Sequence, residues 1–358
     1  MSDNIDILTN RTHDEEDVRN RLYAFYDLDV APGNFDFLKF LILAEIDRRK
    51  RGLDSLCVVI IPGRTHGFRP REIAGYIGHG ASTYDYESLR WKARNILVPC
   101  CWQLPSCKGV MVCSSRDEAR MIFDSVSTRI YPRDYSIDCP TVKYNWQHVA
   151  EAFNSCDERP TLKATPQAIR FVKQFMQRRV NDRKMISTTL RESPWHLDRN
   201  SSIRNWGAFA NSLNKKYFFP VIVKDTDAVF DNELAGINES FVISDFSWNV
   251  ELRSALYELS YLNLFTNCGP TNLCRLNTST RWIIFKMVTK TFKEHFFQEK
   301  WGLNPGEQYH FQTEFQRFVW EEDKAEIIKT EFDAMCKKID KNGCNEVCCM
   351  EKRLNENR

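Results

Sequence analysis

Two α/β units facing one another across a cleft are what this sequence predicts, on three observations. From residue 20, short apolar runs alternate with amphipathic stretches of helical period, the sequence form of a sheet covered by helices. A polar, proline-containing stretch at 157–165 (DERPTLKAT) interrupts the alternation, which then restarts. The 358 residues also exceed what one hydrophobic core usually organises. The limits that follow are 1–160 for a first domain, 161–345 for a second and 346–358 for a polar tail.

In chain order, the first strand is read at 21–27 (RLYAFYD), closed by Pro32 and Gly33. Residues 35–49 form a helix, apolar nearly all round at its start and charged at its end. Residues 55–61 (SLCVVII) are a continuous apolar run of strand length, the pattern of a strand buried on both faces. It stops at Pro62 and Gly63, and Arg64, His66 and Arg69 follow in a loop that could reach the cleft. A strand at 98–102 (VPCCW) and another at 109–113 (GVMVC) precede a helix from about Asp117. Beyond the break come a helix at 166–179, a strand at 184–190 (KMISTTL) and a helix from about Ser202. Residues 217–224 (YFFPVIVK) are the next strand, 241–244 a short one, and 250–263 a helix with a broad apolar face. Strands at 264–268 and 281–288 (RWIIFKMV) and a terminal helix at 320–339 complete the pattern. Two successive units of this kind are Rossmann-like domains.

The totals narrow the partners. Hydrophobic residues at 42% and aromatics at 13% describe a packed core and argue against disorder. Lysine and arginine number 50 against 48 acids, whereas a dedicated nucleic-acid binder carries a strong basic excess, so nucleic acid is not an expected partner. The polar, acidic start at 1–6 (MSDNID) has no apolar signal segment. No window approaches the ~18 apolar residues that span a bilayer. A cytoplasmic protein is expected, with no transmembrane segment and room only for a peripheral membrane contact. Without a secretory signal, 13 cysteines, an odd number, read as reduced thiols. Two cysteine groups (Cys100, Cys101, Cys107 and Cys113; Cys336, Cys344, Cys348 and Cys349) lack the paired C-x2-C spacing of zinc sites and are read as buried or incidental.

In an open parallel sheet, ligands bind outside the carboxyl ends of the strands. Three such loops in the second half are polar. The first, 188–206 (TTLRESPWHLDRNSSIRNW), carries Arg191, Glu192, His196, Arg199, Asn200 and Ser201. The second is Asp225, Thr226 and Asp227, and the third runs through Asn267, Cys268, Gly269, Pro270, Thr271 and Asn272. Together they read as an anion site: helix N-termini supply dipole and N–H donors, and arginine grips phosphate bidentately. A strand ending in Asp-x-Asp is also how metal-dependent GT-A glycosyltransferases hold a divalent cation. Here a break and a second α/β start precede it, so strand-end capping is preferred and no metal is expected. Asp27, at the exit of the first strand, is a candidate general base, with turn formation before Pro32 as the alternative.

On these residues the second half resembles the donor domain of GT-B glycosyltransferases, in particular the fucosyltransferase-like superfamily. In that group a strand ends in a His-x-Arg type motif whose arginine contacts the donor diphosphate. Arg191 in Thr189-Leu190-Arg191-Glu192 stands in its place, with Thr189 where histidine is usual. Thr226 and Asp227 are similar to the Thr-Asp that ends the next strand near the nucleotide, and the loop from Cys268 to the one that carries the phosphates. The resemblance, over residues 180–290, implies a nucleotide-sugar donor, a glycan or other hydroxyl acceptor and no cofactor. It also implies a C-terminal helix, entered through 318–323, that packs back across the two domains. Charge building on the leaving diphosphate would be met by Arg191, the loop from Gly269 and Arg199, and the acceptor proton would pass to Asp27 or Glu192. Two other readings compete: a nucleotide-sugar epimerase or hydrolase of the same architecture, and a non-catalytic protein whose cleft binds a nucleotide or glycan.

Overall fold

The computed structural model describes residues 20–72, 85–126, 128–194, 196–229, 234 and 236–356, without the side chains of 71 and 342–356. The polar start at 1–6 and the side chains of Cys344, Cys348 and Cys349 lie outside the described residues. Two parallel sheets organise the chain. The first contains β1 (Arg21–Asp27), β2 (Ser55–Ile61), β3 (Cys107–Val112) and β4 (Ile130–Tyr131) in the order β3-β2-β1-β4. The second contains β5 (Lys184–Thr189), β6 (Phe218–Val223), β7 (Leu262–Thr266), β8 (Trp282–Phe285) and β9 (Gln316–Phe318) in the order β6-β5-β7-β8-β9.

Because side chains alternate across a strand, each sheet splits its residues between two cores. Leu22, Ala24 and Tyr26 of β1 and Leu56, Val58 and Ile60 of β2 enter a central cluster, whereas Tyr23, Phe25, Cys57, Val59 and Ile61 face an outer one. The second sheet behaves alike. Phe219, Val221, Phe265 and Ile284 join the same central cluster, and Ile186, Ile222, Leu264 and Ile283 face a third. The layers therefore run outer core, sheet, shared core, sheet, outer core.

The helices of the shared core are α1 (Phe37–Lys50), α2 (Tyr86–Lys92), α3 (Val98–Cys101), α5 (Trp146–Asn154), α6 (Pro166–Phe175), α8 (Val250–Leu259), α9 (Thr271–Arg275) and α10 (Glu294–Trp301). The outer faces are covered by α4 (Arg116–Val126) on the first sheet, and by α7 (Ile203–Ser212) and α11 (Ala325–Glu356) on the second. Contact between the halves is polar as well as apolar. Ser254 donates to Gln103 (2.6 Å), the Lys163 amide to Gln103 O (2.7 Å), and Asn272 Nδ2 to Phe35 O (3.0 Å).

Three elements differ from the sequence expectation. Residues 98–102 are not a strand, because α3 continues the helical run begun at α2 and keeps Cys100 and Cys101 buried on one face. At 241–244 only a single bridge forms, between Ile222 and Val242, after a turn over Glu239–Phe241. The terminal helix does not cross to the first domain. Its Ile328, Phe332, Met335, Cys336 and Ile339 pack into the outer core of the second sheet, with Phe332 edge-on to Phe209 (5.2 Å) and Phe218 (5.3 Å). The helix also runs to Glu356, through the stretch expected as a tail.

Asp27 closes β1 as a fixed strut. It is fully buried, accepts both Arg116 terminal nitrogens at 2.8 Å, and takes further bonds from the Tyr135 hydroxyl (2.8 Å) and the Asp29 amide (3.0 Å). Removing one partner of such a buried pair leaves the other charge uncompensated. Asp27→Ala should therefore lower unfolding stability by about 3–5 kcal/mol, read by denaturant titration, with ligand affinity per folded molecule unchanged.

Candidate functional site

Strand order reverses between β1 and β4 in the first sheet and between β5 and β7 in the second, and such switch points are where open sheets bind ligands. A cleft of about 1040 Å³ lies between the halves there, at the upper end of the range of roughly 300–1,000 Å³ occupied by ligand pockets. The first half lines it with Asn34, Phe35, Asp36, Lys39, Arg69, Glu72, Lys92, Tyr144 and Trp146. The second contributes the exits of β5, β6 and β7 together with Arg275, Phe292, Lys300 and Trp301. Seven lysines and arginines face four carboxylates in that lining, so the cleft favours an anion.

The exit of β5 is a built loop. The Arg191 amide donates to Ser201 Oγ (2.8 Å), and its guanidinium donates to His196 O (3.2 Å) and to Asn200 Oδ1. Asn200 also joins Ser193 in both directions, accepting from its amide (3.1 Å) and donating to its carbonyl (2.9 Å), and Ser201 donates to Thr266 on β7 (2.8 Å). Asn200 and Ser201 therefore form the loop rather than line the cleft. Lys286, held at a left-handed φ of 57°, donates to Asn200 O (3.0 Å) and pairs with Glu322 (3.3 Å). Buried Asp323 accepts the Ser202 amide (2.8 Å) and Trp206 Nε1 (2.9 Å), fixing the start of α7. Asp198 accepts the amide and the hydroxyl of Thr291, both at 2.7 Å.

Arg199 lies 3.9 Å from the centroid of the Phe292 ring and donates to Asn267 O (3.1 Å). Burial, and then the neighbouring charge of Arg191, lower its pKa to about 10. Two arginines that oppose each other's charge in a cleft make a place where an anion relieves both. Beside them, Asn267 Nδ2 is buried with no acceptor among the described residues.

The exit of β6 holds no paired metal ligands. Asp225 accepts the amides of Asp227 and Glu192, each at 3.3 Å, Thr226 donates to Ser247 O (2.8 Å), and Asp227 pairs with Lys92 of the first half (3.0 Å). Among the described residues no cluster of three or more His, Cys, Asp or Glu could hold a metal. At the exit of β7, a Cβ on Gly269 would meet Phe35 at 3.2 Å, so glycine there permits the close approach of the two halves. The expected open amides of the following helix are a correction. Those of Thr271, Asn272 and Leu273 turn back to Cys268, Gly269 and Pro270 at 3.3, 3.1 and 3.1 Å.

Of the sequence-derived candidates, Arg191, Arg199, Asp225, Thr226, Asp227, Gly269, Pro270, Thr271, Asn272, His196 and Arg69 meet in the cleft. Four others do not. Asp27 is consumed by Arg116 and Tyr135, and Glu192 lies outside the lining. Arg64 is tied to Asp29 (2.6 Å) and to the carbonyls of Ile137 (3.0 Å) and Asp138 (2.9 Å). His66 packs its ring on Tyr86, 4.8 Å away. The cleft also contains Asn267, the first residue of the third loop, and Asp36, Lys39, Glu72, Lys92 and Arg275, five residues that the sequence did not single out. Lys39 alone had a visible signal, as a lone charge in the apolar run FLKFLIL.

The fold and cleft define a two-sheet α/β protein of the GT-B arrangement. Its structure is similar to ADP-heptose LPS heptosyltransferase II of E. coli, at 8% identity, 89% coverage of this chain, 99% of that chain and a TM-score of 0.54. It is also similar to a glycosyl transferase family 9 structure from Veillonella parvula DSM 2008, at 10% identity, 89% of each chain and a TM-score of 0.48. The first likeness shows the fold. No family model and no curated protein sequence matches the chain.

The Asp198–Thr291 tie has a defined pH window. Burial raises the Asp198 pKa, but the Thr291 hydroxyl and amide outweigh it and bring it to about 2, against about 3.9 unfolded. A depressed carboxylate stabilises above its unfolded pKa, and that contribution is lost as pH falls through the folded value. Hydrogen exchange at the Thr291 amide should stay slow above about pH 4 and accelerate toward pH 2, a dependence that Asp198→Asn removes.

Proposed function

We propose that the chain transfers a glycosyl group from a nucleotide-sugar donor to a hydroxyl acceptor in this cleft, without a bound metal. The observation that carries this reading is the convergence of Arg191, Arg199 and the Asn267 side-chain amide nitrogen, unpartnered among the described residues, beside Gly269 at the switch point of the second sheet. Residues 161–345 hold the donor and 1–160 the acceptor. Arg191, which the sequence resemblance likens to the diphosphate-contacting arginine of fucosyltransferase-like enzymes, and Arg199 take the charge that builds on the leaving diphosphate. They are already oriented when it forms. Sugar chemistry rests on fold analogy; the heptosyltransferase is named for ADP-heptose, which adds an ADP-sugar to the GDP-, UDP- and CMP-sugars worth testing.

The base is drawn from the cleft's own carboxylates. Asp225 and Asp227 belong to the donor loops, whereas Asp36 at the start of α1, paired with Lys39 (2.8 Å), and Glu72, paired with Arg69 (3.1 Å), stand on the acceptor side. Burial pushes the Glu72 carboxyl up against the opposing pull of Arg69, the direction that suits a general base.

A thermal-shift screen of ADP-, GDP-, UDP- and CMP-sugars tests the donor reading. A bound donor at 100 times its Kd should add about 2.7 kcal/mol and raise Tm by several degrees. Arg191→Ala and Arg199→Ala should each weaken that donor roughly tenfold to a hundredfold. A chain that responds to none of the four does not use a nucleotide sugar, and donor breakdown without acceptor would move the assignment to an epimerase or hydrolase. Once an acceptor is in hand, Asp36→Asn and Glu72→Gln separate the two candidate bases. The true one loses kcat by about 10²–10⁴ with donor affinity intact.

A further inference from the structure

Arg275 ends α9 and is 7% exposed, yet no carboxylate among the described residues forms an ion pair with it. Its Nη2 is buried without a hydrogen-bond partner among the described residues, while the Tyr309 hydroxyl supports the charge at another nitrogen. The guanidinium carbon lies 3.4 Å from the Trp146 ring centroid and 4.2 Å from that of Trp301. These rings offset part of the cost of burying a cation, but they cover its faces and accept no N–H bond in the guanidinium plane. That planar edge is the part of an arginine that matches an oxyanion. Burial lowers the Arg275 pKa to about 9, so the group is still cationic at neutral pH. A buried cation with no counter-charge is costly unless something supplies one.

We infer that Arg275 is a second anion-binding point of the cleft, separate from the donor diphosphate, and that it takes an oxyanion carried by the acceptor. This deepens the glycosyltransferase reading and rests on it. The separation follows from the elements involved. Arg191, Arg199 and Asn267 belong to the exits of β5 and β7, within the second half. Arg275 is stacked on Trp146 of α5, and Lys39 of α1 sits over the same ring at 5.9 Å, so this point faces the first half. Asp36, paired with Lys39 at 2.8 Å, acts electrostatically on both Arg199 and Arg275. It thus lies in the same cleft within electrostatic reach of both cationic points.

The test titrates inorganic phosphate and, separately, glucuronate into the full chain while intrinsic tryptophan fluorescence is followed. The wild type should give a saturable change with at least one of them. Arg275→Met should weaken that response at least tenfold, Arg275→Lys should be intermediate, and Arg191→Ala should leave it intact. The nucleotide thermal shift should survive in Arg275→Met and fail in Arg191→Ala. The anion that binds more tightly identifies the acceptor group as phosphate or carboxylate. If Arg275→Met does not fold, Arg275→Lys is read in its place, and a loss of threefold or more is expected. Wild-type-like titration of the Arg275 variants, or no saturable response in the wild type, overturns the inference. A nucleotide response without an anion response removes this point alone, whereas an anion response without a nucleotide response removes the nucleotide-sugar donor alone.

Discussion

A parallel sheet has to be covered on both faces, and in this chain the helices over the two inner faces cover each other. Leu22, Ala24 and Tyr26 of β1 share one cluster with Phe265 of β7 and Ile284 of β8, through helices of the two halves that pack on each other. The cleft depends on that shared core. It sets how near Phe35 comes to Gly269, where no room remains for a Cβ. It also holds Asn272 on the Phe35 carbonyl and Asp227 on Lys92. A loop from each half is thereby brought to one ligand-sized space. Neither sheet alone could enclose it.

What the sequence discloses follows from which constraints are local. SLCVVII and YFFPVIVK read as strands because a strand buried on both faces has no polar residue to interrupt it. β4 and β9, of 2 and 3 residues, are too short to carry a pattern. VPCCW is equally apolar as helix or strand, and the helical run leading into it from α2 decides. In the site, position at a strand end marked the right loops but not the direction of each side chain. Ser201 looks like a ligand group until Thr266, 65 residues away, claims it, and the Asn200 side chain until Arg191 and Ser193 do. Arg275, in NLCRLN, looks like any helix end. Only the folding of Trp146 and Trp301 onto its faces makes it distinctive.

Asp27 and Arg275 show two fates of a buried charge. Asp27 accepts bonds from Arg116, Tyr135 and the Asp29 amide, so it is a structural group with little capacity left for a substrate. Arg275 has its faces covered and its Nη2 left to a ligand. Both look alike as isolated letters, and both are costly to bury. The number of donors and acceptors already engaged separates a strut from a binding point.

The same accounting explains the loop after β5. Ser201 fastens it to β7, Asn200 to Lys286, and Asp198 to Thr291, so it is held from three directions. Arg191 and Arg199 are consequently kept near each other although their charges oppose, and folding energy elsewhere sustains that repulsion. An anion entering between them relieves it without first having to reorganise the loop. Developing negative charge on a leaving group is stabilised most by dipoles and cations that are oriented before it appears. The bonds that take Asn200 and Ser201 out of direct contact with a ligand are therefore what make Arg191 and Arg199 effective in contact with one.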